Sequence, residues 1–152
     1  PSLRYTKQMN ATLQKFGYPA GLVREYRHWA VLLRPAQVTL GALVLAALSN
    51  VTAFSALPPA AFTELHQVTG DIEAGLSRFQ PHDRINYLML MMVDPHVHFH
   101  VLPRYAVAQQ FAGVSFADAG WPGPPDLKSA TALGEAQFNS LRDSLKSCWP
   151  SS

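Results

Sequence analysis

The chain has 152 residues, 48% of them hydrophobic and only 14% charged, against roughly 25% charged in an average domain. That balance excludes a disordered chain and supplies apolar material for one core, so residues 1–152 are expected to form a single domain. The net charge of +2 is too small to draw a nucleic-acid duplex or an anionic membrane, and the lone Cys148 excludes an internal disulfide while fitting a reducing, cytoplasmic compartment.

Leu3, Met9, Leu13 and Phe16 outline a short amphipathic helix that stops at Gly17. Arg4 and Lys7 lead into no long apolar stretch, so no signal-peptide pattern is read there. Residues 22–26 and 29–33 read as two strands about a turn at Arg27-His28. Residues 38–57 carry no charge, and a bilayer span needs about 20 apolar residues. Thr39, Ser49, Asn50, Thr52 and Ser55 interrupt the run, however, and neither an aromatic belt nor a basic flank marks its ends. The expected form is a buried strand over 42–47 with a polar turn at Ser49-Asn50.

Pro58-Pro59 opens a helix in which Phe62, Leu65, Val68, Ile72, Leu76 and Phe79 recur at steps of three and four. Residues 85–93 read as a strand buried on both faces, and Asp94-Pro95 breaks it. A second strand starts at once, and so tight a link favours an antiparallel pair. A last strand is expected over 111–116, a linker-like stretch around Trp121-Pro122-Gly123-Pro124-Pro125, and a C-terminal helix through Phe138, Leu141, Leu145 and Cys148. Strands with a packed long helix and no regular βαβ alternation indicate an α+β fold around an antiparallel sheet.

Three of the six histidines fall in the run His96-Val97-His98-Phe99-His100-Val101-Leu102-Pro103-Arg104. On a strand, alternate side chains share a face, so the three imidazoles would form a row about 7 Å apart, with Val97, Phe99 and Val101 turned into the core. Three readings are open. The histidines are packed or solvated, or they ligate zinc around an open position, or they serve nucleophilic and acid–base catalysis, with one imidazole attacking while its neighbours donate protons and hydrogen bonds. No further His, Cys or acidic motif of metal-ligand spacing accompanies the run.

This run resembles the His-x-His-x-His signature of the histidine triad superfamily of nucleotide hydrolases and transferases, most closely the bacterial members described as dinucleoside polyphosphate hydrolases. The likeness extends upstream through residues 82–105 and takes in residues 40–45, similar to an earlier Gly-His-x-Leu-Val strand of the family; overall it covers about 22–105, leaving 106–152 as a C-terminal extension. The resemblance implies an α+β fold with an antiparallel sheet of about five strands, a packed long helix and a homodimer. It implies that His98 attacks an α-phosphate and forms a nucleotidyl-histidine, while His96 and His100 bind phosphate oxygens and assist the leaving group. Water then releases a nucleoside monophosphate. Such displacement rests on positioning and charge stabilisation, so the protein need hold no cofactor, and any Mg2+ would arrive with the substrate. A third histidine, where the uridylyltransferase branch has glutamine, favours the hydrolase side. The alternatives are a purine-nucleotide-binding regulator without turnover and a zinc protein using the three histidines.

The chain departs from the family pattern at four places. Asp94-Pro95 replaces a Gly-x-x-Ala-Gly-Gln loop, Ala42 replaces a histidine, Arg34 stands where Asn or Asp commonly holds the ribose, and Met91-Met92 stands where Gly-Asn is frequent. Arg34, at a strand end, reads either as a phosphate clamp or as a solvated arginine. Arg104 reads as a source of positive potential or as a structural ion pair, and Asn86 as a ribose or phosphate ligand or a turn cap. His28, His66 and His82 have no partners at motif spacing. Met89, Met91 and Met92 read as core filling, and Trp121 as a lid over a base or a packed loop residue.

Overall fold

The computed structural model describes residues 10–151. Leu3 and Met9 of the expected first helix lie outside that range, and the described helix α1 spans Ala11–Lys15. Asn10 caps it: its side-chain oxygen accepts from the Leu13 amide, while its Nδ2 donates to the Ser49 carbonyl at 3.2 Å. One side chain therefore both starts the helix and fastens it to the chain just beyond a strand. The helix ends at Phe16, and Gly17 turns the chain with φ +90, a left-handed conformation that glycine adopts without a Cβ clash.

Strands β1 (Leu22–Glu25), β2 (Trp29–Leu33) and β3 (Leu43–Ala47) follow. Helix α2 spans Pro59–Phe79, β4 Arg84–Leu88 and β5 His98–Arg104. A hairpin of β6 (Gln109–Phe111) and β7 (Val114–Phe116) precedes helix α3, Glu135–Cys148. The main sheet has the order β1-β2-β3-β5-β4 and is antiparallel throughout. This is the expected α+β architecture with five strands.

Proline sets both ends of α2. Pro59, with its preset φ, occupies the first turn, and Gln80 is extended because it precedes Pro81. The helix buries Val68, Ile72 and Leu76 against the sheet, each contributing about 1.5–3 kcal/mol by leaving water. Their partners on the sheet include Trp29, Val31, Leu33, Leu43, Leu45, Val97 and Val101, with Leu141 and Leu145 of α3 completing this side of the core. On the opposite face Ala30, Leu32, Val44 and Ala46 are covered by Leu13 and Phe16. Alternation along β5 puts His98 and His100 on that second face, opposite Ala46 and Val44 in register.

Three expectations are corrected. The strand read over 85–93 ends at Leu88, because Met91 takes a left-handed φ of 50 and the last β4–β5 pair is Leu88 with His100. Residues 89–97 are therefore a loop rather than a tight link, and β4 is a half-buried edge strand rather than one covered on both faces. The apolar run instead leaves Leu90, Met92 and Val93 exposed, Met92 at 86%. The strand read over 111–116 is a hairpin, turned by Ala112 and Gly113, both with positive φ.

Candidate active site around two buried histidines

His98 is 2% exposed and His100 7%. The rings stand edge to face, 5.1 Å between centroids. Phe16, at the end of α1, packs against both, 5.8 Å from His98 and 5.7 Å from His100. Beside them lies a cleft of about 380 Å³, lined by Lys15, Phe16, Arg34, the 90–94 loop and the two histidines. That volume falls within the usual range of small-molecule sites.

The hydrogen-bond partners fix the tautomers. His98 Nδ1 lies 2.7 Å from the backbone carbonyl of His96, which only accepts, so Nδ1 carries the proton and Nε2 keeps its lone pair. Arg34 Nε, which only donates, points to His100 Nδ1 at 3.4 Å. His100 therefore accepts at Nδ1 and, when neutral, bears its proton on Nε2. Burial, reinforced by the positive charge of Arg34, lowers the His100 pKa to about 4, so this ring is neutral at physiological pH. The pair thus offers a nucleophilic nitrogen on His98 and a hydrogen-bond donor on His100.

His96 lies outside β5, since the strand begins at His98. The amide of Val97 donates to the Val51 carbonyl and its own carbonyl accepts from Ala47, which aligns the entry to the strand. The His96 ring is half-buried, and its Nδ1 sits 3.0 Å from the Thr12 hydroxyl on α1. It therefore lies under the helix and does not line the cleft, whereas a regular strand through all three histidines would have put it in the same row.

Arg34 follows β2 directly and reaches the cleft through a turn organised by Gln37. The buried Gln37 amide donates to the carbonyls of Arg34 and Ala42, and its oxygen accepts from Gly41, whose φ is +91. The Arg34 guanidinium also donates to the Ala36 carbonyl at 2.6 Å, and burial pushes its pKa down.

Asn86 and Arg104 are placed elsewhere. Arg104 is 3% exposed and forms a two-pronged ion pair with Asp118, at 2.6 and 2.9 Å. It also donates to Asn86 Oδ1 at 2.7 Å, and both residues line a separate cleft with Arg84 and Trp121. Leu102 separates Arg104 from His100 along the same strand face, so the structure brings Arg34, but neither Asn86 nor Arg104, to the histidine pair. Of the two readings open for Arg104, the structural ion pair is the one observed.

Sequence reasoning did not single out Thr12, Lys15, Phe16, Gln37 or Asp94 as site residues. Lys15 and Asp94 form an ion pair of 2.8 Å and both line the cleft. No local signal marks these five, because each acts across a long separation or through a turn. Among the described residues no three His, Cys, Asp or Glu side chains are grouped so as to hold a metal ion. No described helix is long and apolar enough to cross a membrane.

No protein-family model matches the sequence, and no curated protein sequence does. Solved structures do match. A histidine triad protein of Sinorhizobium meliloti superposes with a TM-score of 0.72 at 20% identity, covering 92% of this chain and 95% of that one. One from Marinobacter aquaeolei gives 0.71 at 22%, covering 93% and 95%. A hypothetical histidine triad nucleotide-binding protein of Sulfolobus tokodaii gives 0.63 at 16%, covering 84% and 82%. At this level of identity the likeness establishes a shared fold. It is the fold of the histidine triad proteins.

Proposed function

We propose that this chain of histidine triad fold is a nucleotide hydrolase or transferase that cleaves at an α-phosphate, acting on dinucleoside polyphosphates or nucleoside phosphoramidates. The observation that carries the reading is the His98–His96 carbonyl contact, which leaves the buried His98 with a directed Nε2 lone pair beside an open cleft. His98 Nε2 forms a bond to the α-phosphorus as the bond to the leaving group breaks, and the leaving group departs with that electron pair and takes up a proton. Water then attacks the nucleotidyl-histidine, frees His98 and yields the nucleoside monophosphate. His100 Nε2–H and the Arg34 guanidinium supply hydrogen bonds and charge to the phosphate oxygens. His96 orients His98 through its backbone carbonyl, while its imidazole is held by Thr12 outside the cleft. Neither step draws on a resident metal, and Mg2+ accompanies a polyphosphate substrate.

The second reading is a nucleotide-binding regulator without turnover, favoured by Phe16, whose ring covers both imidazoles. We assign the protein to a reducing, cytoplasmic setting from its single cysteine, and to a homodimer from the unpaired outer edge of β4. Sedimentation at micromolar concentration reads the dimer directly.

The test of function is a panel of diadenosine polyphosphates, nucleoside phosphoramidates and adenylylated amines, followed for released AMP. Release identifies the enzyme and its substrate branch. A melting temperature raised by AMP, with every substrate left intact, identifies the binder.

A further inference from the structure

Two cations line the cleft, and they are held differently. Arg34 is half-buried and engaged with His100 and the Ala36 carbonyl, so its position is set by the fold. Lys15 has half its side chain in solvent (51% exposed) and is held by Asp94, itself a cleft residue, at 2.8 Å. Lysine is a compact point charge on a flexible stem, suited to exchanging one anion for another. A half-exposed ion pair contributes little to stability, so giving up Asp94 is cheap. Lys15 and Asp94 also act on His100 with opposite sign, Lys15 lowering its pKa and Asp94 raising it, which places both charges within range of the catalytic pair.

We propose that Lys15 reads the length of the substrate's phosphate chain: Asp94 pairs with the ammonium group, and a phosphate beyond the α-position displaces it. Arg34 and His100 serve the α-phosphate, which every nucleotide substrate carries, whereas Lys15 binds only when a second phosphate is present. The substrate class this selects is the nucleoside polyphosphate, with an anionic leaving group, over the phosphoramidate with a neutral one. Asp94 is a built-in competitor for the Lys15 ammonium group. The inference rests on the nucleotide-cleaving reading only in that nucleotides occupy this cleft.

Calorimetric titration of the full chain with AMP and with ADP tests it, using wild type, Lys15→Met, Lys15→Arg and Asp94→Asn, each checked for an unchanged melting profile. Wild type is expected to bind ADP more tightly than AMP. Lys15→Met should lose about tenfold in ADP affinity, the scale of one charge-assisted hydrogen bond, with AMP changed by less than about twofold. Lys15→Arg should keep the preference, and Asp94→Asn should tighten ADP, most clearly at low salt. Equal weakening of both nucleotides by Lys15→Met, or no weakening of either, overturns the proposal. Nucleotide binding with this discrimination but no released AMP from any substrate would remove the hydrolase reading and leave the role of Lys15 standing. A wild type that binds neither nucleotide would remove both.

Discussion

His98 donates its Nδ1 proton to the backbone carbonyl of His96, two residues earlier in the chain, at 2.7 Å. The sequence spacing alone makes this contact local, and its result is a single tautomer with the reactive nitrogen turned to the cleft. His98→Ala is therefore expected to abolish turnover, because neither neighbouring imidazole offers a lone pair in the same place. His100→Ala should cost on the order of 10²–10⁴-fold, the usual scale of one acid–base or donor group. His96→Ala keeps the backbone carbonyl that holds His98 and removes a ring outside the cleft, so it should cost less. Rapid-quench trapping of a nucleotidyl adduct in wild type and its absence in folded His98→Ala check the assignment. Substantial hydrolysis by that variant would mean direct attack by water.

The low His100 pKa makes stability depend on pH. Below its ordinary value of 6.5 the unfolded chain takes up a proton that the folded ring refuses until about pH 4, so stability is fully present above pH 6.5 and falls as acid is added through this window. With allowance for screening by water at the cleft, the loss should be about 1–2 kcal/mol. Urea unfolding at pH 7 and pH 4.5 should show that loss in wild type and a smaller one in His100→Gln. Equal losses in both would assign the acid sensitivity to other groups.

Phe16 is 7% exposed and packs on both cleft imidazoles. Phe16→Ala should destabilise by about 2–3 kcal/mol, below the roughly 3–5 kcal/mol of a deep-core phenylalanine because one side of the ring borders the cleft. Carbethoxylation of His98 and His100, read by mass spectrometry, should speed up in this variant. An unchanged rate would show that the ring does not control access.

Asp118→Asn would leave Arg104 charged and buried and would weaken the Asp118 contact to the Tyr105 amide. A cost of about 3–5 kcal/mol is expected, and the double variant Arg104→Met, Asp118→Leu should recover much of it. AMP release per folded molecule should be unchanged in the double variant, since this ion pair lies outside the histidine cleft. A loss of activity without a loss of fold would connect the two clefts.

Gly75 lets α2 and α3 meet closely, because a Cβ there would lie 2.5 Å from the Trp149 ring. Trp149 also donates to the Tyr26 hydroxyl at 3.0 Å, so the ring is fixed from two sides. Gly75→Ala should lose about 1–3 kcal/mol by overpacking despite alanine's higher helix propensity. A gain in melting temperature would show that Trp149 moves aside freely.

Much of this architecture was legible locally. Val68, Ile72 and Leu76 announced the buried stripe of α2 by their spacing, and Pro58-Pro59 marked its start. Alternation assigned Val97, Phe99 and Val101 to one side of the sheet, with His98 and His100 on the other, because a strand has no other way to arrange successive side chains. The same rule failed for His96, where the strand had not yet begun. The reading of residues 85–93 as a doubly buried strand failed beyond Leu88, where Leu90, Met92 and Val93 are exposed at the cleft while Met89 and Met91 still pack on the core.

Composition and periodicity thus determined the α+β class, the main elements and the two adjacent imidazoles, since these depend on neighbours within a few residues. The tertiary structure alone decided that Thr12 meets His96, that Phe16 packs on His98 and His100, and that Lys15 pairs with Asp94 at the cleft. It alone decided, too, that Arg34 joins the histidines and that Arg104 is consumed by Asp118. Those pairings span from 14 to 84 residues. A hydrogen bond or ion pair across such distances follows from how whole elements pack, and the residues that make it carry no mark of it in their own stretch of sequence.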